Sequence, residues 1–292
     1  AMAEVKPYLV IAVPLVIEKI YKSKVKPVLE KEGVRFLMKV PGLNQVVKNK
    51  IREELVKAFG GEFYEVIIGG AAFNKEVESF FKEINFPFTV GYGMTECAPI
   101  ITYDDWNVEK LYSCGKAAPN LEVKIDSTDP ANISGEILVK GANVFLGYYK
   151  NEEATKDVFT EDGWFRTGDM GVLDEDGCLY IRGRSKCMIL GPSGQNIYPE
   201  EVETVINSQP YVVDSLVVEE DGGLTGIIYP DFAQGAKEGM DQKTFAKFIE
   251  DMLPELNKEL PNYARLKKIK VMTEDFERTP KKSIKRYLYQ RS

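Results

Sequence analysis

The run Gly91-Tyr92-Gly93-Met94-Thr95-Glu96 has the make-up of a ligand-gripping turn. Its two glycines permit a sharp bend and let a flat ligand approach the backbone. The Thr95 hydroxyl and Glu96 carboxylate that follow suit a phosphate oxygen and a hard cation. The β-prone stretch Phe86-Pro87-Phe88-Thr89-Val90 precedes the run, which places it where a buried strand leaves its sheet. Three other blocks carry similar chemistry: Gly69-Gly70-Ala71-Ala72, Gly163-Trp164-Phe165-Arg166-Thr167-Gly168-Asp169, and residues 182–203. Asp169, expected on a loop after a glycine, could accept from vicinal hydroxyls. Arg184 could meet a phosphate in a forked geometry. Taken singly, each has a plainer reading. Asp169 could cap a turn, Arg184 could form a surface ion pair, and Gly191-Pro192-Ser193-Gly194-Gln195-Asn196 could be a hairpin. The order and spacing of the blocks argue for a shared site.

The elements that must position these residues follow from pattern. Residues 8–17 are apolar but broken by Pro14, too short to span a bilayer, and read as a buried strand running into a helix. Residues 15–60 read as helices interrupted by Pro27, Gly33 and Pro41-Gly42, with helical spacing over 44–59. A βαβ unit follows: strand 63–68, a Gly69-Gly70 turn, helix 75–84 and strand 86–90. Both glycine turns then lie at the carboxyl ends of parallel strands, where ligands of open α/β sheets bind. Residues 112–181 alternate in short strands, the pattern of a small antiparallel sheet or distorted β-barrel. Beyond them the sequence predicts helix 199–208, strands 212–219 and 224–229, helix 242–258 and strand 266–272. The fold class is therefore α/β plus α+β, with a first domain over 1–183 and an α+β domain over 184–292.

Composition excludes several functions. A net charge of −7 argues against a general nucleic-acid binder, although residues 265–270 and 281–286 are locally basic. The chain has no histidine, and its four cysteines show no CxxC spacing, which nearly excludes a zinc site or a Ser-His-Asp triad. Scattered thiols suit a reducing cytoplasm. No amphipathic anchor stands out, and oligomeric state is not legible.

Together the blocks resemble the adenylate-forming superfamily of acyl-CoA synthetases, adenylation domains and luciferases. Tyr92-Gly93-Met94-Thr95-Glu96 is similar to its adenine- and magnesium-binding motif, Thr167-Gly168-Asp169 to its ribose motif, and Gly183-Arg184-Ser185-Lys186 to its hinge. Asn143-Val144-Phe145-Leu146-Gly147-Tyr148-Tyr149 and Gly191-Pro192-Ser193-Gly194-Gln195-Asn196-Ile197-Tyr198-Pro199-Glu200-Glu201 are similar to the strings of bacterial long-chain fatty-acid–CoA ligases. The resemblance implies that Tyr92 stacks on adenine, with Gly70, Ala71 and Gly93 at its edge and Met94 within the same motif. It implies further that Thr95 holds the α-phosphate, Glu96 the Mg²⁺, and Asp169 the ribose. Arg184 would reach ribose or phosphate, Lys186 would lie at the hinge, and Gly194 would line the pantetheine channel. The implied reaction joins a fatty acid to ATP, giving acyl-AMP and pyrophosphate, and then transfers the acyl group to coenzyme A. Peripheral membrane contact is compatible with such a substrate.

Two departures accompany the resemblance. The family's adenylation lysine stands just before an isoleucine, but here Ser283 precedes Ile284, which leaves Lys282, Lys281 or Lys285 for that role. The Gly/Ser/Thr-rich phosphate loop does not occur in residues 1–60, so it is expected upstream of the given sequence, and the isolated chain is expected to be inactive. An acyl-adenylate former loading a carrier protein and a non-catalytic nucleotide-binding module are the alternatives.

Overall fold

Three parallel strands carry the glycine turns. The computed structural model describes residues 2–191, 194–279 and 283–290. After a short helix α1 (Met2–Val5), strands β1 (Leu9–Ala12), β2 (Glu65–Ile68) and β3 (Phe88–Val90) lie in that order in one sheet. Val10 pairs with Val66 and Val66 with Phe88, all in parallel register. Parallel neighbours need long crossovers. The first crossover runs through α2 (Pro14–Ile20), α3 (Lys26–Leu29), α4 (Glu32–Lys39) and α5 (Leu43–Ala58), and the second through α6 (Lys75–Glu83).

Two expected interruptions do not occur. Pro27 lies at the start of α3, which runs on directly from a π-helical turn over Tyr21–Val25. Gly33 lies inside α4. Gly42, at φ 86, does break the chain before α5. The Asn74 side chain starts α6 by accepting from Glu76 N at 2.9 Å and Val77 N at 3.2 Å. That helix buries Val77, Phe80 and Phe81 against the sheet. Phe81 stands 4.8 Å from Phe86 and 5.6 Å from Phe88, ring centre to ring centre, so aromatic packing fixes β3 immediately before the site.

Past β3 the chain turns antiparallel. Strands β4 (Tyr92–Gly93), β5 (Ile100–Tyr103) and β6 (Lys116–Ala117) form one sheet. A second sheet, ordered β10-β9-β8-β7, contains β7 (Leu121–Asp126), β8 (Gly135–Gly141), β9 (Phe165–Leu173) and β10 (Leu179–Arg184), with helix α7 (Glu152–Asp157) between β8 and β9. Ile101, Ile125, Ile137, Phe165 and Leu179 form the core of this region. Among the described residues the pairings leave both sheets open, so they do not close the expected barrel. Alternation reports a half-buried strand but not whether the outermost strands meet.

Contacts divide the chain into two units, Ala1–Ile181 and Arg182–Ser292. The second unit opens with a hairpin of β11 (Ile189–Leu190) and β12 (Asn196–Ile197), followed by α8 (Pro199–Ser208). Strands β13 (Val212–Glu220), β14 (Gly223–Pro230) and β15 (Leu266–Val271) form its sheet in that order. Helix α9 (Phe232–Lys237), capped by Asp231, was not expected. The single helix expected over 242–258 is two, α10 (Gln242–Glu250) and α11 (Leu253–Glu259), because Pro254 in the first turn of α11 cannot continue α10. Val202, Ile206, Phe245, Ile249 and Leu256 are buried with the sheet in one core. Among the described residues no helix is long and apolar enough to cross a membrane.

Candidate functional site

The two glycine turns lie side by side because β2 and β3 are neighbours. Gly91 N donates to Ile68 O at 2.9 Å, and Gly69 N donates to Ala12 O at 3.1 Å. A Cβ on Gly69 would stand 3.2 Å from Gly91 O. Gly70, at φ +90, and Ala71 are exposed at the end of the sheet. Gly93 has a stricter cause: a Cβ there would lie 2.0 Å from Pro99 O, so only glycine admits this approach. Met94 N donates to the same Pro99 oxygen at 2.8 Å. The chain then makes a one-turn 3₁₀ helix, Thr95–Cys97, which leaves Thr95 exposed, Glu96 partly buried and Cys97 buried.

Asp169 reaches this corner from a bulge rather than from the expected loop. Opposite β8, Glu136 pairs with Met170 and Leu138 with Arg166, which leaves Thr167-Gly168-Asp169 facing Ile137 alone. Gly168 supplies the positive φ of +74. The bulge is pinned from both sides. Thr167 Oγ1 donates to Ile137 O at 2.9 Å and accepts from Asp169 N at 3.1 Å, while Gly168 N donates to Glu136 Oε1 at 3.1 Å. Arg166 in turn holds Glu136 Oε2 at 2.6 Å. The result is a direct bond between residues far apart in sequence: Tyr92 Oη donates to Asp169 Oδ2 at 2.7 Å. Burial first, and then the Asp169 charge, raises the Tyr92 phenol well above its ordinary pKa, so it remains a donor.

Glu96 is held from a third direction. Tyr148 Oη donates to Glu96 Oε1 at 3.1 Å, and Phe145 N donates to Glu96 O at 2.8 Å. Burial, then the hydrogen bond to Glu96, raises the Tyr148 phenol. Among the described residues no group of three or more His, Cys, Asp or Glu side chains could hold a metal ion by itself. The carboxylate held here is Glu96, and a single carboxylate suits a hard cation whose shell is completed by phosphate oxygens and water.

Arg184, Lys186 and Gly194 belong to the second unit. Arg184 caps the 3₁₀ turn Ser185–Cys187 that contains Lys186, and Met188 N donates to Arg184 O at 3.1 Å. Gly183 faces α8 closely; a Cβ there would meet Glu200 Oε2 at 2.7 Å. Gly194, at φ +79, turns the β11–β12 hairpin by donating its N–H to Gly191 O at 2.9 Å. Lys282 and Lys281 lie outside the described residues. Lys285 pairs with Glu277 at 3.1 Å. Nearby, the half-buried Arg286 guanidinium pairs with Glu203, and burial pushes the Glu203 carboxyl up to about 7 against the pull of Arg286.

The first unit thus brings together Gly70, Ala71, Tyr92, Gly93, Met94, Thr95, Glu96 and Asp169. Sequence reasoning gave no role to Glu136 or Tyr148, whose contacts join segments that only the strand pairing makes neighbours.

Comparison with known proteins gives a consistent picture. The profile of the AMP-binding enzyme family matches residues 3–149, and that of the AMP-binding enzyme C-terminal domain matches residues 188–291. A long-chain-fatty-acid–CoA ligase of Mycobacterium bovis is 30% identical over 274 residues, covering 86% of this chain and 44% of that protein. A 2-succinylbenzoate–CoA ligase of Listeria innocua is 35% identical over 215 residues, 69% of this chain and 44% of that protein. The solved structure of O-succinylbenzoate coenzyme A synthetase from Bacillus subtilis, in complex with ATP and magnesium ion, superposes with a TM-score of 0.70 at 25% identity, covering 96% of this chain and 50% of that one. The chain spans about half the length of the relatives it matches.

Proposed function

The chain belongs to the AMP-binding enzyme family, and from that premise we propose that it is the nucleotide-gripping part of an ATP-dependent acyl-CoA ligase acting on long-chain fatty acids. The observation that carries this reading is the Tyr92–Asp169 hydrogen bond of 2.7 Å at the end of the paired glycine turns. It joins a partly exposed aromatic ring to a carboxylate able to accept two hydroxyls, a match for adenine and ribose. Gly70, Ala71, Gly93 and Met94 would contact the base, and the exposed Thr95 hydroxyl would donate to the α-phosphate. Glu96 would hold Mg²⁺, which supplies neutralisation of phosphate charge when bound. In the reaction a fatty-acid carboxylate oxygen bonds to the α-phosphorus of ATP as pyrophosphate leaves. The coenzyme A thiolate then bonds to the acyl carbon as AMP leaves.

Arg184 and Lys186 would serve as charge and pivot in a domain over 184–292 that moves between the two steps, and Gly194 would pass the pantetheine arm. Lys282 remains the proposed adenylation lysine. The long-chain assignment draws support from the Mycobacterium relative and from the strings at 143–149 and 191–201; the succinylbenzoate relatives stand against reading it from family alone. The test is pyrophosphate release, followed by mass-detected acyl-CoA, from this chain joined to the remaining half of such a ligase. Acids of about eight to eighteen carbons and succinylbenzoate would be supplied in parallel. Turnover of the long acids alone supports the proposal; turnover of succinylbenzoate alone contradicts it.

Ser283, standing where the family places its lysine, favours a second reading: a nucleotide-binding module without ligase activity. Nucleotide binding without pyrophosphate release in the joined protein would select it.

A further inference from the structure

We propose that Tyr148 is a positioning residue for Glu96, fixing that carboxylate where a phosphate-bound divalent cation would meet it; the inference rests on the nucleotide-site reading above. Glu96 projects from a single 3₁₀ turn, Thr95–Cys97, too short to constrain a long acidic side chain. Left alone, such a side chain populates many rotamers, and ordering it on ligand binding costs free energy. The Tyr148 hydroxyl removes that freedom by donating to Oε1 at 3.1 Å, which leaves Oε2 to face a ligand.

The donor is itself immobilised. Asn143 Nδ2 donates to Cys97 O at 2.6 Å and to Ile100 O at 3.1 Å, clamping the start of its loop to the Glu96 turn. Phe145 N holds Glu96 O at 2.8 Å, so main chain and side chain of Glu96 are gripped by one loop. The Phe145 ring packs on the Tyr148 ring at 4.9 Å and 70° and on Phe165 at 5.4 Å, tying both to the core. Beyond it, Tyr148 N donates to Thr155 Oγ1 at 2.9 Å. Gly147 between them, at φ +145, has no space for a Cβ, which would lie 2.6 Å from Thr155 Cγ2. A site with one protein carboxylate depends on its orientation, because the remaining ligands are phosphate and water.

Tyr148→Phe keeps the ring packing and removes only the donor. AMP and Mn²⁺ are the probes: AMP affinity is measured by calorimetry without metal, and Mn²⁺ affinity of the AMP complex by the electron paramagnetic resonance of free Mn²⁺. Metal-free AMP affinity should stay unchanged while Mn²⁺ affinity falls about tenfold, the size expected for losing a hydrogen bond to a charged group. Glu96→Gln should lower Mn²⁺ affinity at least as far, and the double variant no further than Glu96→Gln alone. Mn²⁺ affinity equal to the parent's in Tyr148→Phe, or losses that multiply in the double variant, would overturn the positioning role and leave the nucleotide reading standing. A parent that binds neither AMP nor Mn²⁺ overturns both.

Discussion

Replacing Glu109 by Gln should flatten the pH dependence of stability of the first unit. The Glu109 side chain is wholly buried, and neither carboxyl oxygen accepts a hydrogen bond of normal geometry. Lys82 Nζ stands 3.7 Å from Oε2, while its stronger bond, at 2.7 Å, goes to Glu109 O. Glu78, also buried, lies close enough to add like charge and is itself pushed up to about 7, mainly by burial. Burial first and Glu78 second push Glu109 up to about 8, against the pull of Lys82 and the Val90 amide. The unfolded carboxyl releases its proton in the ordinary range near 4.5. Between those values the folded state holds the extra proton, so stability is greatest below the unfolded value and declines as pH rises towards the folded one.

One proton of difference gives a slope of about 1.4 kcal/mol per pH unit, or about 3 kcal/mol between pH 5 and pH 7. Glutamine keeps the shape and cannot ionise, so its curve should lack that slope while retaining the similar fall due to Glu78. A buried amide without partners costs about 1–3 kcal/mol, so the variant should start lower at pH 5 and gain on the parent as pH rises. Urea unfolding followed by tryptophan fluorescence reads the first unit directly, because both tryptophans, Trp106 and Trp164, lie within it. Parallel stability curves for parent and variant from pH 5 to pH 7 would refute the reasoning.

Two more outcomes follow, one from close packing and one from a buried charge. Gly93→Ala drives a methyl to 2.0 Å from Pro99 O, so the turn must open; we expect a loss of at least about 1–3 kcal/mol in urea unfolding, together with weakened AMP binding. Full AMP affinity in that variant would show that the Gly93 approach is not part of the site. In the second unit, Arg286→Met removes the cation paired with buried Glu203 and should cost about 3–5 kcal/mol near pH 8, above the Glu203 value of about 7. The loss should shrink towards pH 5, where Glu203 takes up a proton; an undiminished loss there would assign the effect to packing instead.

The sequence carried much of the site because its key turns are local. Gly69-Gly70 and Gly91 to Glu96 follow β-prone runs, and a glycine at a strand end leaves few conformations open. The helix predicted over 199–208 likewise starts at Pro199. What stayed hidden depends on pairing at a distance. The bulge at Thr167-Gly168-Asp169 exists only because β9 runs three residues past one residue of β8. Glu136 acts through partners set by that register and Tyr148 through a loop contact with Glu96, and side-chain periodicity reports neither. The packing of α6 against the 105–113 loop buries Glu78 and Glu109, another contact between distant segments. Pro27 and Gly33 show the opposite limit. Both are tolerated by where they fall: Gly33 is the second residue of α4, and Pro27 follows the π-helical turn at the start of α3.

The central claim is that Asp169 and Tyr92 form the adenosine-gripping corner of an AMP-binding enzyme. Its most direct test is a calorimetric titration of AMP into this chain and into Asp169→Ala, with tryptophan fluorescence confirming that the first unit remains folded. The account predicts one saturable site in the parent, lost or weakened by at least about tenfold in the variant, since two ribose hydroxyls would lose a charged acceptor. Equal AMP affinity in the two proteins, or no binding to the parent, would contradict it.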